Sequence, residues 1–120
     1  MGIEHLTKAN FLTKVLNYEA NPEEWKYVCD KPTIVDFYAS WCAPCRRLAV
    51  ILDELAEMYN GQISIYKVDI ELEQELAEAF NIQMVPTLLF IPINGPLQIQ
   101  GGVLSKATLI QTIQDVLLKG

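Results

Sequence analysis

Cys42 and Cys45 stand three residues apart in Trp41-Cys42-Ala43-Pro44-Cys45, and Asp36 precedes them inside the apolar run Thr33-Ile34-Val35-Asp36-Phe37-Tyr38. Two thiols at that spacing can alternate between a dithiol and an internal disulfide when the segment is helical, because positions i and i+3 share a helix face. A cysteine at a helix start also meets unpaired backbone N–H groups and the positive end of the helix dipole, both of which favour thiolate over thiol. Cys42 is therefore the candidate nucleophile, and Cys45, expected to be more shielded by the turn that follows, the candidate resolving thiol. Pro44 fits the first helical turn, where its missing N–H is not needed, and stiffens the link between the sulfurs. A resolving thiol has to lose a proton. Asp36 is the candidate acceptor, since burial among apolar neighbours raises a carboxyl pKa into the range of a general base. The competing reading of Asp36 is a locally hydrogen-bonded strand end. Trp41 reads either as packing or as a flat apolar contact beside the thiols, and Arg46-Arg47 adds positive charge that supports thiolate formation.

The elements that must position these groups follow from periodicity. The β-branched and aromatic run from Thr33 to Tyr38, after the punctuation of Asp30-Lys31-Pro32, predicts a strand. Leu48, Ile51, Leu52, Leu55 and Met58, with Ala56 and Tyr59, recur at three- and four-residue spacing and predict a helix with one buried stripe. Upstream, Thr7 caps an expected helix over about 8–16, with Phe11, Leu12, Val15 and Leu16 inward. Asn21-Pro22-Glu23-Glu24 predicts a short helix inside an insert of about 18–32, anchored by Trp25 and Val28. Cys29 in that insert reads mainly as a structural thiol, with a regulatory or dimerising role as the minor reading. Downstream, Asn60-Gly61 stops the long helix, and Ile63, Ile65, Tyr66 and Val68 form a strand from which Lys67 alternates out. A Glu-rich helix is expected over 69–80, with Leu72, Leu76, Ala79 and Phe80 at helical spacing and Asn81 closing it. Two strands, 87–91 and 97–100, flank the turn residues Ile93-Asn94-Gly95-Pro96, with Pro92 at a strand end. Ser105 caps a last helix with Leu109, Ile110, Ile113, Val116 and Leu117 inward.

A chain of 120 residues, 51% of them hydrophobic, suits one domain over 1–120 with a substantial core. The net charge of −6 and the lack of a clustered basic stripe argue against nucleic acid as a partner. No apolar window approaches the length needed to cross a bilayer, and Met1-Gly2-Ile3-Glu4-His5 lacks the layout of a secretory leader, so a cytoplasmic protein is expected. The same layout also fits a mature exported chain after removal of a leader. Three cysteines do not make a secreted disulfide framework. A metal site from Cys42, Cys45, Cys29 and His5 is disfavoured because tight sites usually offer paired short spacings.

The segment Val35-Asp36-Phe37-Tyr38-Ala39 followed by Trp41-Cys42-Ala43-Pro44-Cys45 resembles the active-site segment of thioredoxins. The link between C-x-x-C and thioredoxin-like redox sites is a general one for that motif. Lys67-Val68-Asp69, Val85-Pro86-Thr87-Leu88-Leu89-Phe90 and Gly102-Val103-Leu104-Ser105-Lys106 match the same family in order, so the resemblance runs from about Ile3 to the C-terminus. It implies an α/β thioredoxin fold, a central mixed β-sheet flanked by helices on both faces, as does the order of the expected elements. It also implies a cis peptide at Pro86, opposite the cysteines, with Val85 and Pro86 pairing to an extended substrate. Trp41, Ala43 and Pro44 on one side, and Gly102 and Val103 on the other, would complete the substrate groove, and Lys67 would lie near Asp36. Ordinary strand exposure is the plainer reading of Lys67. The chain departs from the common pattern at Ala43 in place of glycine, at Val50 in place of a helix-kinking proline, at Met84, and at Tyr38 in place of tryptophan.

The thiol chemistry points to dithiol–disulfide exchange, and the resemblance implies a protein-disulfide reductase that acts on disulfide-containing proteins and is recharged by a flavin-dependent thioredoxin reductase. No Gly-rich nucleotide motif is present and no cofactor is expected; a monomer is expected. Two other readings remain open at this point: a specialised thiol oxidant or isomerase in an exported compartment, marked by a more oxidising potential, and a non-catalytic binding module that uses the groove around Trp41 and Pro86.

Overall fold

In the computed structural model, which describes residues 3–20, 23 and 25–119, the strands of the centre are buried on both faces. That is why they read as nearly continuous apolar runs. Successive side chains of a strand point to opposite faces. Thus Ile34 of β2 (Thr33–Tyr38) and Leu88 and Phe90 of β4 (Thr87–Ile91) enter one core, whereas Val35, Phe37, Leu89 and Ile91 enter the other. The sheet is completed by β1 (Glu4–His5), β3 (Ser64–Asp69) and β5 (Gln98–Gly101), in the order β1-β3-β2-β4-β5. The pairs β1·β3 and β3·β2 are parallel, and β2·β4 and β4·β5 antiparallel.

Helices cover both faces. The first core is closed by α2 (Ala43–Met58), through Leu48, Leu52 and Leu55, and by α4 (Lys106–Thr112) with the π-helical turn Ile113–Leu117 that continues it. The second is closed by α1 (Lys8–Lys14), through Phe11, and by α3 (Gln74–Ala79), through Leu76. In this second core Phe80 meets Phe11 and Phe37 at ring distances of 5.4 and 5.8 Å, within the range of favourable aromatic pairing. Ion pairs such as Lys106–Glu54, at 2.8 Å, tie helices together at exposed positions, where each adds little.

Several expectations change. The strand Glu4–His5 was not expected, and it pairs with Tyr66 and Lys67 of β3. The expected helix over 69–80 is shorter, because the Asp69 carboxylate accepts from the Glu71 and Leu72 amides and holds a turn there. Leu72 consequently faces solvent, 77% exposed, rather than the core. Met58, at the end of the α2 stripe, is also exposed. Residues 21, 22 and 24 of the expected short helix lie outside the described residues. Beyond them Trp25 and Lys26 are not helical, and Tyr27 forms an antiparallel bridge with Leu16. Val50 leaves α2 unbroken over its 16 residues.

Phe37 is fully buried at the junction of β2 with the aromatic group, so Phe37→Ala should cost about 4 kcal/mol in urea unfolding. Val50→Ala, on the exposed side of the neighbouring helix, should stay within about 0.5 kcal/mol of wild type.

Candidate active site

Strand β2 ends at Tyr38, and the chain turns through Ala39, Ser40 and Trp41 into α2. Cys42 is the N-cap of that helix, with extended backbone (φ −89°, ψ 110°), and its sulfur accepts from the Cys45 amide at 3.2 Å. One unpaired N–H of the helix start is thereby directed at sulfur, the geometry that favours a thiolate when the pair is reduced. Pro44 occupies the first turn, where its ring needs no donor. Cys42 and Cys45 are joined as a disulfide, with Cα atoms 5.3 Å apart. The expected difference in shielding is absent in this oxidised form: Cys42 is 4% and Cys45 3% exposed. Ala39 is buried with them, and Tyr38, Ile70 and Val85 pack against the three.

The second wall comes from the approach to β4. The Val85–Pro86 peptide is cis, and the Val85 carbonyl oxygen lies 3.9 Å from the Cys42 sulfur. The Pro86 carbonyl accepts from the Gly102 amide at 2.8 Å, which joins this segment to the end of β5. Gly102 has φ +92°, a conformation that favours glycine, and open space where a side chain would stand. Around this wall Trp41 is 66% and Met84 54% exposed, and Val103 is also exposed. A Cβ at Gly101 would come 2.8 Å from the Met84 sulfur, so the missing side chain of Gly101 is the seat of the Met84 thioether. Sequence reasoning singled out Met84 and missed this role of Gly101, because the two are 17 positions apart and no local pattern links them.

Asp36 lies within β2, opposite Lys67 and Leu88, on the sheet face that α2 covers; it is fully buried, and among the described residues neither carboxylate oxygen has a hydrogen-bond partner. It is thus not the locally bonded strand end of the plainer reading. Burial pushes its pKa up to about 7, and Lys67 moderates the rise. Lys67 is its register partner on β3, but its ammonium sits over the Tyr38 ring, 5.3 Å from the centroid. The Tyr38 hydroxyl is hydrogen-bonded to His5 Nδ1 at 2.9 Å. Burial raises the Tyr38 phenol pKa further, which keeps it neutral. Neither His5 nor Tyr38 was singled out for a role beside Asp36, although the two-residue spacing of Asp36 and Tyr38 puts them on one sheet face. Cys29 is half-buried beside the second core, and burial raises its thiol pKa. That fits a structural thiol.

A sequence model of the family described as Thioredoxin matches residues 2–115. The chain belongs to the thioredoxin family. A thioredoxin of Borreliella burgdorferi is 40% identical over 92% of this chain and 93% of its own. The bifunctional thioredoxin reductase/thioredoxin of Mycobacterium leprae is 31% identical over 92% of this chain and 22% of its own. Among solved structures, chloroplastic thioredoxin z matches with a TM-score of 0.77 over 95% of this chain and 93% of that one, at 27% identity. With a cysteine pair at disulfide distance, membership makes the protein a thioredoxin-type disulfide oxidoreductase. The oxidant or isomerase alternative is not favoured. Disulfide substrates and a reductase partner follow from the family in general terms.

The raised pKa of Asp36 links this thioredoxin-family site to stability. The unfolded carboxyl ionises from about pH 4, whereas the folded one stays protonated until about pH 7. Folding therefore loses stability as pH rises between those values and recovers none above them. In urea unfolding of the oxidised protein, wild type should lose roughly 4 kcal/mol relative to Asp36→Asn between pH 4 and pH 8; a constant difference would contradict the assignment.

Proposed function

We propose that the protein is a cytoplasmic, monomeric reductant of protein disulfides, with Cys42 as nucleophile, Cys45 as resolving thiol and Asp36 as proton acceptor. The observation that carries the reading is the joined Cys42–Cys45 pair at the helix start, against the Val85–Pro86 wall, in a fold that also buries the unpaired Asp36 carboxyl in the preceding strand. In the reduced protein the Cys42 thiolate attacks one sulfur of a substrate disulfide. That bond breaks, one substrate thiolate leaves, and a mixed disulfide forms. Cys45 then gives its proton to Asp36 and attacks the Cys42 sulfur, releasing the second substrate thiolate and restoring the internal disulfide. The substrate gains two electrons and the cysteine pair loses two. The Asp36 proton returns to solvent before the next cycle.

The groove reading rests on exposed apolar side chains at both walls. Trp41, Ala43 and Pro44 would receive the substrate on the helix side, and Val85, Pro86, Gly102 and Val103 on the other. An extended peptide there would bond to the backbone at Val85. Met84, flexible and polarizable, would let the groove adapt to differing partners. The proposed electron donor is a flavin-dependent thioredoxin reductase. The Mycobacterium leprae relative, whose name joins reductase and thioredoxin in one protein, supports that pairing. Among the described residues no helix is long and apolar enough to cross a membrane.

Two measurements test the reading. Cys45→Ser should trap covalent mixed disulfides with protein partners through Cys42, while Cys42→Ser traps none; equal trapping by both variants would refute the assigned roles. Equilibration with dithiothreitol and glutathione buffers should give a reduction potential near about −270 mV, the general thioredoxin value, and a value near about −120 mV would instead indicate an oxidant.

A further inference from the structure

His5, Lys67 and Asp36 form one row across β1, β3 and β2, since His5 pairs with Lys67 and Lys67 with Asp36. Side chains in register leave a sheet on the same face, here the face that α2 covers, and Tyr38 joins them two residues beyond Asp36. A buried carboxyl with an ammonium next to it in register would ordinarily draw that ammonium into an ion pair. In this protein it does not. Both Asp36 oxygens are without a hydrogen-bond partner, and among the described residues no Lys67–Asp36 ion pair forms. The Lys67 ammonium lies instead over the face of Tyr38, 5.3 Å from the ring centroid, within cation–π range.

The ring that receives it is fixed from two sides. Its hydroxyl is bonded to His5 Nδ1 at 2.9 Å, and the imidazole also meets the ring edge-on at 5.7 Å. The body of Tyr38 packs against the Ala39, Cys42 and Cys45 group. We propose that Tyr38, fixed by His5, is a positioning residue that holds the Lys67 ammonium on its ring and off the Asp36 carboxyl. The carboxyl then stays unpaired and protonatable on the sheet face that α2 covers. This rests on the reading of Asp36 as proton acceptor for its catalytic meaning, and not for its geometry.

The other groups around Asp36 do not supply this control. Strand β4 brings Leu88 into register with it. Helix α2 brings Cys42 and Cys45, while its charged residues Arg46, Arg47, Asp53, Glu54 and Glu57 are exposed. On the α4 side, Lys106 is paired with Glu54, and Asp115 and Lys119 are exposed. Asp69, at the far end of β3, acts on the Tyr38 phenol. Lys67 is the charge that acts on Asp36.

The test follows the Asp36 carboxyl directly, by its carbon-13 NMR titration in the oxidised protein, in wild type, Tyr38→Leu, Tyr38→Phe, Lys67→Met and the Tyr38→Leu/Lys67→Met double variant. Removal of the ring should release Lys67 toward Asp36 and lower the proton affinity of the carboxyl about tenfold. Tyr38→Phe keeps the ring and loses only the His5 bond. It should lower the affinity less, and it preserves the test if the leucine variant folds poorly. In the Lys67→Met background, Tyr38→Leu should produce no such fall. An unchanged or increased proton affinity in both Tyr38 variants, or an equal fall without Lys67, would overturn the proposal. The pH profile of the resolving step, measured as substrate release from a preformed mixed disulfide, separates the two readings. A titration that moves while this profile stays fixed leaves the positioning role intact and removes Asp36 as the acceptor.

Discussion

An ionisable carboxyl at the buried centre of a sheet is the constraint on which the site depends. Desolvation opposes the charged form of Asp36, and among the described residues no hydrogen bond relieves it. Such a residue destabilises the fold it occupies whenever it is charged. The surrounding structure tolerates it because two separate apolar cores, one on each face, supply the burial that a single one-sided sheet would lack. Both faces are covered by helices, and so the central strands can carry one polar exception without losing their place.

The same two-layer cover positions the sulfurs. The helix that closes the first core begins where β2 ends, so the rigidity of Leu48, Leu52 and Leu55 against the sheet extends to the cap at Cys42. The opposite wall is equally anchored, since Val85 and Pro86 lead directly into β4, the antiparallel neighbour of β2. Two pieces of chain some forty positions apart thus meet with little freedom. What remains exposed is mainly side chain, in Trp41, Met84 and Val103.

Much of this was legible in the residues. β2 and α2 announce themselves because a buried strand and an amphipathic helix impose different periods, and the change of period falls at the cysteines. The cap, the hairpin around Gly95 and the closing role of Asn81, with φ 52°, were likewise set by local chemistry. What escaped notice depended on pairing across the sheet. A strand of two residues, Glu4–His5, has no period to detect. The Leu72 position fits a helical stripe, yet the neighbouring Asp69 turn takes the amides that the helix would need. The π-helical turn at Ile113–Leu117 has the same apolar spacing as the α-helix before it. Cys42 is as buried as Cys45, with Tyr38, Ile70 and Val85 packed against the pair, and the contacts to Ile70 and Val85 are not encoded in the cysteine segment alone.

The seat of Met84 on Gly101 has a consequence for how this family member can diverge. Gly101 has no backbone conformation that demands glycine, so its smallness serves the thioether that lies over it. The Met84 thioether, flexible and half-exposed, would have to swing aside before a side chain could stand at 101. A larger residue at 101 would therefore be met by a new Met84 rotamer, so that the rim beside the cysteines changes shape while the strand beneath it keeps its place.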